Sequence, residues 1–355
     1  MAFLRASSPH THNPNTTHRV MREVLLATLP GVAVLTWFFG LGTLSNILIA
    51  CLFGLGLEAA VLKMRGRPIA FYLKDLSALV TAVLLAIALP PASSWWLIGV
   101  GMIASIVVAK HLYGGLGYNP FNPAMVGYVV LLISYPQYMT LWLAPENLSV
   151  QGAIFDITTL FELVFGGLAS TTMDGLTAAT PLDVFKQTAG LTAQDIYAQK
   201  AIFSQGLFAG AGYEWVNIAF LLGGLYLLMR KVFTWHAPIT MLVTLALFAT
   251  VFYDAGSSNS GGSPLLHLFS GATMLGAFFI VTDPVSSATS NRGRLIYGAL
   301  IGALVYIIRV WGNYPDAVAF AVLLMNFAAP FIDYYTVPRT YGHKKAQRAT
   351  HTGGQ

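Results

Sequence analysis

Ten long apolar segments most constrain what this 355-residue chain can fold into. A helix that crosses a bilayer needs roughly 20 predominantly apolar residues. Only 9% of the residues are charged, against roughly 25% in soluble domains. The sequence therefore predicts an all-α integral membrane protein with about ten transmembrane helices. The segments lie at about 23–41, 44–62, 75–90, 95–110, 124–140, 214–230, 237–254, 264–281, 295–311 and 317–335.

These segments divide the chain into two tails, two membrane halves and one polar insertion. Two halves of five spans each insert in opposite orientations, which predicts an inverted repeat with broken helices. Asn119–Ala124 resembles Asp283–Ala288, although ten spans put both stretches on the same side, so this alignment stays open. The predicted parts are the N-terminal tail 1–22, the first half 23–140, the insertion 141–213, the second half 214–335 and the C-terminal tail 336–355.

Basic residues predict the orientation of the chain. With ten spans, all but three of the 19 Lys and Arg residues fall on the side of the termini, and the exceptions are Lys186, Lys200 and Arg309. Basic loops stay in the cytoplasm. The sequence therefore predicts a bacterial inner-membrane protein with cytoplasmic termini and a periplasmic insertion. The dispersed positive charge argues against a nucleic-acid partner.

The insertion contains the most informative stretch, Asp174–Asp183. Thr180 is suited to cap a helix, because Pro181 fits the first helical position and Asp183 favours the positive end of the helix dipole. The same stretch resembles the motif Asp-x-x-(Ser/Thr)-(Gly/Val)-Ala-(Ser/Thr), whose last hydroxyl a flavin transferase esterifies with the phosphate of FMN. Asp174, Thr177, Ala179 and Thr180 match this motif, and Ala178 departs from it. The two interpretations are compatible, because a helix N-terminus favours a phosphate.

A second stretch, Ser270-Gly271-Ala272-Thr273, spells the core of this motif more literally. It lies inside an apolar segment, and His267 stands where the motif requires Asp. We expect this stretch to pack one helix against another rather than to carry a flavin.

Glu58 is the clearest ionisable residue within a predicted span, which makes it a candidate for an ion path. The chain has a single cysteine, Cys51, which excludes an intrachain disulfide and a Cys-ligated cluster held by this chain alone. We find no phosphate-binding loop and no dinucleotide-binding strand–turn–helix. The sequence predicts no catalytic residue, no metal site and no complete active site in this chain alone.

Residues 270–295, the stretch Gly117–Ala124 and the tail Phe331–His343 are similar to the family of D subunits of the Rnf complex. The B subunits of the sodium-pumping NADH:quinone reductase are similar but usually have a longer N-terminus. The resemblance covers nearly the whole chain. It implies a membrane redox subunit with FMN held covalently on Thr180. It also implies that the subunit binds a second, non-covalent flavin such as riboflavin or FMN. It also implies a fold of two inverted five-helix halves.

The resemblance further implies partners: the other Rnf subunits, a second subunit with covalent FMN on the periplasmic side, and the flavin transferase that matures the chain. The complex couples electron flow between ferredoxin and NAD to Na⁺ or H⁺ translocation. Two alternatives from other classes remain open at this point. One is a solute channel or transporter in which Thr180 is only a helix cap, and the other is a scaffold for neighbouring flavoproteins.

Overall fold

The computed structural model describes residues 16–148, 156–166, 175–188, 190–312, 314 and 317–336. Within these residues the regular structure is helical, apart from one isolated antiparallel bridge between Leu143 and Thr177. Four helices are long and apolar enough to cross a membrane, and six shorter apolar helices accompany them. The prediction of an all-α membrane protein is confirmed.

The first half contains seven helices, because a short helix precedes the third predicted span and the fifth span is divided into two pieces. Helix α5 continues as a π-helix over Ile103–His111. The helices are α1 Thr17–Phe39, α2 Gly42–Met64, α3 Ile69–Leu73, α4 Ser77–Ala88, α5 Trp95–Met102, α6 Pro123–Ser134 and α7 Pro136–Met139.

The insertion contributes four short helices and the second half six helices. Helix α8 continues as a π-helix over Glu162–Gly166, and α15 continues as one over Gly276–Ile280. The insertion holds α8 Ile157–Phe161, α9 Pro181–Gln187, α10 Ala193–Gln199 and α11 Ala201–Ser204, and the second half holds α12 Tyr213–Met229, α13 His236–Val251, α14 Pro264–Phe269, α15 Thr273–Leu275, α16 Asn291–Trp311 and α17 Val318–Thr336.

Each of the ten predicted apolar segments coincides with one of these helices or helix pairs, and the two halves share a packing pattern. In each half the second long helix packs against the broken helix and against the helix that follows it: α2 against α4 and α5, and α13 against α14 and α16. Helices α1 and α12, the first of each half, pack against each other. This duplicated pattern supports the predicted repeat of two five-helix units.

The breaks set the register of that repeat. In the first half, α3 and α4 are separated by residues 74–76, and Leu76 has a left-handed φ of 62°. In the second half, α14 and α15 are separated by residues 270–272, and Gly271 has a φ of 61°. Asn119–Ala124 instead precedes the last helices of the first half, whereas Asp283–Ala288 follows the broken helix of the second. The sequence alignment of those two stretches was therefore wrong.

Backbone groups freed by a break must find partners, because lipid offers none. At the second break Asn217 supplies them: its Nδ2 lies 3.0 Å from the carbonyl oxygens of Phe269 and Gly271, and its Oδ1 accepts from the backbone N–H of Met274 at 3.1 Å. Asn46 acts similarly in the first half, where it donates to the carbonyl of Pro90 at 2.8 Å at the end of α4. Buried asparagines thus hold the irregular segments of both halves.

Helices α1 and α12 meet along a tight seam. A methyl group on Gly223 would overlap the backbone carbonyl of Ala27, and one on Gly31 would overlap the ring of Phe220. Small residues allow such close approach of membrane helices. At one end of the seam, Arg230 on α12 donates to Glu23 on α1 at 3.1 Å.

Candidate functional site

Thr180 caps helix α9 as the sequence predicts. Its φ and ψ of −67° and 159° are extended, and Pro181 takes the first helical position. The Thr180 Oγ1 accepts from the backbone N–H of Asp183 at 3.3 Å and donates to the Asp183 carboxylate at 2.7 Å. The hydroxyl is therefore fixed in one orientation, half-buried at the start of the helix.

Thr180 also lines a cavity between the two membrane halves, which we call the motif cavity. The space, including its open mouth, is about 770 Å³. It is bounded by the C-terminal ends of α1 and α4, the N-terminal end of α12 and residues in and directly after the second break. The lining residues are Leu35, Phe39, Ile87, Ala88, Tyr128, Met139, Thr140, Trp142, Thr180, Leu182, Asp183, Tyr213, Val216, Phe220, Gly271, Ala272 and Leu275.

An aromatic cluster forms one wall of the motif cavity. The ring centroids of Phe39 and Tyr213 are 5.1 Å apart, those of Phe39 and Trp142 are 6.4 Å apart, and those of Trp142 and Tyr213 are 6.3 Å apart. Such a wall suits a flat, conjugated ring, which stacks on aromatic faces or meets their edges. Sequence analysis missed this cluster, because its members come from α1, the insertion and α12.

The motif residues before Thr180 are held against the wall of the cavity. The Ala178 backbone N–H donates to the Trp142 carbonyl at 2.9 Å, and the Ala144 N–H donates to the Leu176 carbonyl at 2.9 Å. Thr177 forms the isolated bridge with Leu143, and Ala179 is exposed. These pairings bring the motif beside Trp142. Asp174, the first motif residue, lies outside the described residues.

Lys186, near the C-terminal end of α9, ties the insertion to the second half. Its ammonium donates to the carbonyl of Gly312, which follows α16. Burial lowers the pKa of Lys186 below its usual value, against an opposing effect of the Asp183 carboxylate. Helix α9 is therefore anchored at both ends.

The alternative stretch Ser270–Thr273 lies at the second break. Thr273 is fully buried, and its hydroxyl donates to the carbonyls of His267 and Ser270 at 2.7 and 3.0 Å. The Ser270 hydroxyl is buried too, and it donates to the carbonyl of Ala209 at 2.7 Å. These hydroxyls pair with backbone carbonyls at and near the break. That the stretch packs one helix against another stays a prediction.

A second cavity opens at the other end of the bundle, and we call it the Lys110 cavity. Its space, including the mouth, is about 1230 Å³. Lys110, Asn119, Asn122 and Asp283 lie among its polar lining residues. The Asn119 Nδ2 donates to the carbonyl of Phe121 at 3.0 Å, whereas its buried Oδ1 has no hydrogen-bond partner among the described residues. A buried acceptor without a donor is unusual in a protein.

The two cavities occupy equivalent positions in the repeat. The motif cavity meets the N-terminal end of α12, the C-terminal end of α1 and the residues after the second break. The Lys110 cavity meets the N-terminal end of α1, the C-terminal end of α12 and Ser77, directly after the first break. The symmetry that relates the two halves therefore also relates the two cavities.

Glu58 lies beside the Lys110 cavity in a buried charge cluster. The Lys110 ammonium lies 2.8 and 2.9 Å from the two Glu58 carboxylate oxygens and 2.8 Å from the Ser77 hydroxyl. The His111 Nε2 is 2.9 Å from Glu58 but lacks the alignment of a hydrogen bond. This arrangement supports a structural charge pair. The ion path through Glu58 stays a prediction.

We expect Glu58→Gln to lower stability, because it leaves the Lys110 ammonium buried without a carboxylate; breaking such a pair costs about 3–5 kcal/mol. The double variant E58Q/K110M removes both charges and is expected to recover most of the loss. The measurement is the midpoint of heat-induced aggregation in detergent, followed by size-exclusion chromatography. An E58Q protein as stable as the unsubstituted protein contradicts the structural role and favours an ion path.

Comparison with known proteins agrees with this architecture. The chain matches the model of the NQR2, RnfD, RnfE family over residues 4–342. A protein of Cellvibrio japonicus (strain Ueda107), described as the D subunit of an ion-translocating oxidoreductase complex, is 58% identical over 351 residues, which cover 99% of this chain and 98% of the relative. Proteins with the same description from Pseudomonas aeruginosa (strain UCBPP-PA14) and Citrobacter koseri (strain ATCC BAA-895 / CDC 4225-83 / SGSC4696) are 56% and 53% identical, covering 99% and 97% of this chain and 100% of each relative. The chain therefore belongs to the NQR2, RnfD, RnfE family.

Proposed function

We propose that this chain is the D-type subunit of an Rnf-type ion-translocating oxidoreductase complex and that it carries FMN as a phosphoester on Thr180. In this role it passes electrons between partner subunits, and the complex couples electron flow between ferredoxin and NAD to Na⁺ or H⁺ translocation. One observation carries the cofactor proposal. The last hydroxyl of the attachment motif lines an aromatic-walled cavity between the membrane halves.

The residues that line the motif cavity suit a flavin ring in their chemistry. A ring attached through Thr180 is within reach of Phe39, Trp142 and Tyr213, since all four residues line the same space. Apolar side chains from α1, α4 and α12 complete the lining. A bound flavin supplies one- and two-electron exchange, and the protein's task is to position the ring and set its surroundings.

The two hydroxyl-bearing stretches differ in how accessible they are from solvent. Gly175 and Ala179 are exposed and Thr180 is half-buried, so a flavin transferase acting from water can approach the motif from its surface side. Thr273 has no exposed surface. The access and the motif together favour Thr180 as the acceptor.

We expect the purified protein, produced in a host with the flavin transferase, to give a fluorescent flavin band at 38.2 kDa after denaturing electrophoresis. Thr180→Ala removes the acceptor oxygen, so the band disappears. Thr273→Ala removes a buried hydroxyl and keeps the band. Mass spectrometry of the peptide that contains Thr180 identifies the attachment site.

Two results contradict this proposal. The first is fluorescence that survives Thr180→Ala, because the flavin is then attached to another residue. The second is a protein that carries no flavin although the host's transferase modifies a known acceptor. That result excludes the covalent flavin and favours the solute channel or transporter.

We also propose that the termini lie in the cytoplasm and the insertion in the periplasm of an inner-membrane protein. The distribution of basic residues supports this orientation. It puts the motif cavity within reach of the proposed periplasmic partner, the second subunit with covalent FMN.

A reporter enzyme that folds only outside the cytoplasm tests the orientation. Fused after Asp195, in helix α10 of the insertion, it is expected to be active. Fused after Met64, at the end of α2, it is expected to be inactive because that end is cytoplasmic in this orientation. The opposite pair of results reverses the proposed topology.

We further propose that the Lys110 cavity holds the second, non-covalent flavin, and that this flavin is riboflavin. The equivalence of the two cavities supports two ligand sites in one chain. The buried Asn119 Oδ1 offers an acceptor for the ring N–H of the flavin. The Asp283 carboxylate in the lining disfavours a phosphate, and Glu58 already neutralises Lys110. A neutral flavin therefore fits better than FMN.

Acid precipitation of the T180A protein separates the two flavins, since no covalent flavin remains. We expect a stoichiometric amount of riboflavin in the supernatant. Asn119→Ala is expected to weaken its retention about tenfold, which corresponds to roughly 1.4 kcal/mol of lost hydrogen bonding. Asn259→Ala, at an exposed position outside the cavity, is the control. FMN in the supernatant, or equal retention by both variants, contradicts the assignment.

A further inference from the structure

The hydroxyl of Thr180 has a proton acceptor already in contact with it. The Asp183 carboxylate lies 2.7 Å from Oγ1 and accepts its proton, while the Asp183 backbone N–H donates to the same oxygen at 3.3 Å. A hydroxyl oxygen has two lone pairs. The N–H engages one of them, which leaves the other for a bond to an incoming electrophile.

A threonine hydroxyl is a weak nucleophile until an adjacent base activates it. Attachment of a flavin phosphate requires Oγ1 to attack phosphorus and to lose its proton. Asp183 lies outside the seven-residue attachment motif, which ends at Thr180. The motif therefore does not account for the group that takes the proton.

We propose that Asp183 is a built-in base for the modification of this chain: its carboxylate orients the Thr180 hydroxyl and accepts its proton during flavin transfer. This inference rests on the proposed function, because it presumes that Thr180 is the acceptor. It assigns to the acceptor protein a chemical group that is otherwise expected from the transferase alone.

The step balances without any redox change. The donor is a flavin adenine dinucleotide bound by the transferase. A bond forms between Thr180 Oγ1 and the phosphorus on the riboflavin side, and the bond from that phosphorus to the bridging oxygen of the pyrophosphate breaks. AMP leaves with the bridging oxygen. The proton of Thr180 moves to Asp183 and from there to water.

The chain contains a matched pair with the same local geometry. Thr192 caps helix α10, donates to the Asp195 carboxylate at 2.6 Å and accepts from the Asp195 N–H at 3.2 Å. That pair is exposed and has no motif before it. A Thr–Asp cap is thus a recurrent local structure, and the motif and the cavity distinguish the Thr180 site.

Lys186 and Tyr213 are among the titratable groups that interact with Asp183. Lys186 is on the same helix, and Tyr213 approaches from α12. Lys186 thus brings a basic group, and Tyr213 a phenol, into the surroundings of the carboxylate.

The test is the rate of flavin incorporation into full-length apo-protein in detergent, with purified transferase and flavin adenine dinucleotide, followed by in-gel fluorescence. Asp183→Asn keeps the backbone cap and an acceptor for the Thr180 hydroxyl but removes the base. We expect kcat to fall about 100-fold or more, the range for loss of a general base, with little change in KM for the acceptor. Asp195→Asn, the matched control, is expected to react at the unsubstituted rate.

The pH dependence separates a base from a structural role. Between pH 6 and 9, the ratio of the unsubstituted rate to the D183N rate is expected to fall, because hydroxide replaces the missing base as pH rises. A D183N protein modified at the unsubstituted rate, or a constant ratio with a raised KM, overturns the inference. Failure of the proposed function gives a different result: the unsubstituted protein itself takes up no flavin, or T180A still takes it up.

Discussion

The fold depends on how the backbone of a broken helix is satisfied where water is absent. The second half interrupts its third membrane segment at residues 270–272, and the first half breaks between α3 and α4 at the start of its third segment. Such breaks free carbonyl and N–H groups that lipid cannot pair. At the second break one side chain, Asn217, pairs with two carbonyls and one N–H. Because these groups are satisfied, the chain can turn aside at Gly271 and leave space for the motif cavity.

Duplication explains why the molecule has two cavities and why they differ. Both cavities lie beside a break, between the start of one half's first helix and the end of the other's. The residues that line them differ: one cavity has an aromatic wall and the Thr180 hydroxyl, whereas the other has asparagines and the paired Lys110. In the proposed function, the first would hold a covalent flavin and the second a non-covalent one.

Local patterns in the sequence predicted much of this structure, but they did not predict contacts between residues that are distant in the chain. Each of the ten predicted segments coincides with a helix or helix pair, whereas the apolar helix Ile157–Gly166 of the insertion was not predicted. Thr180 was identified as a cap from its immediate neighbours. The partner of Glu58 was not predicted, because Lys110 is 52 residues away. The aromatic wall joins Phe39, Trp142 and Tyr213 from three separate parts of the chain. The register of the repeat was also not predicted. The two halves correspond in the positions of their breaks and in their helix packing, not in residue identities.

The seam between α1 and α12 has a consequence for how the two halves can move. At Gly223 and Ala27 the helices meet at backbone distance, and Phe220 fills the space above Gly31. Interfaces packed this closely resist sliding, because any displacement creates overlap. The two cavities flank this seam and so keep a constant separation. Fixed spacing is what tunnelling between redox centres requires, whereas a carrier that rocks its halves to alternate access needs a looser joint.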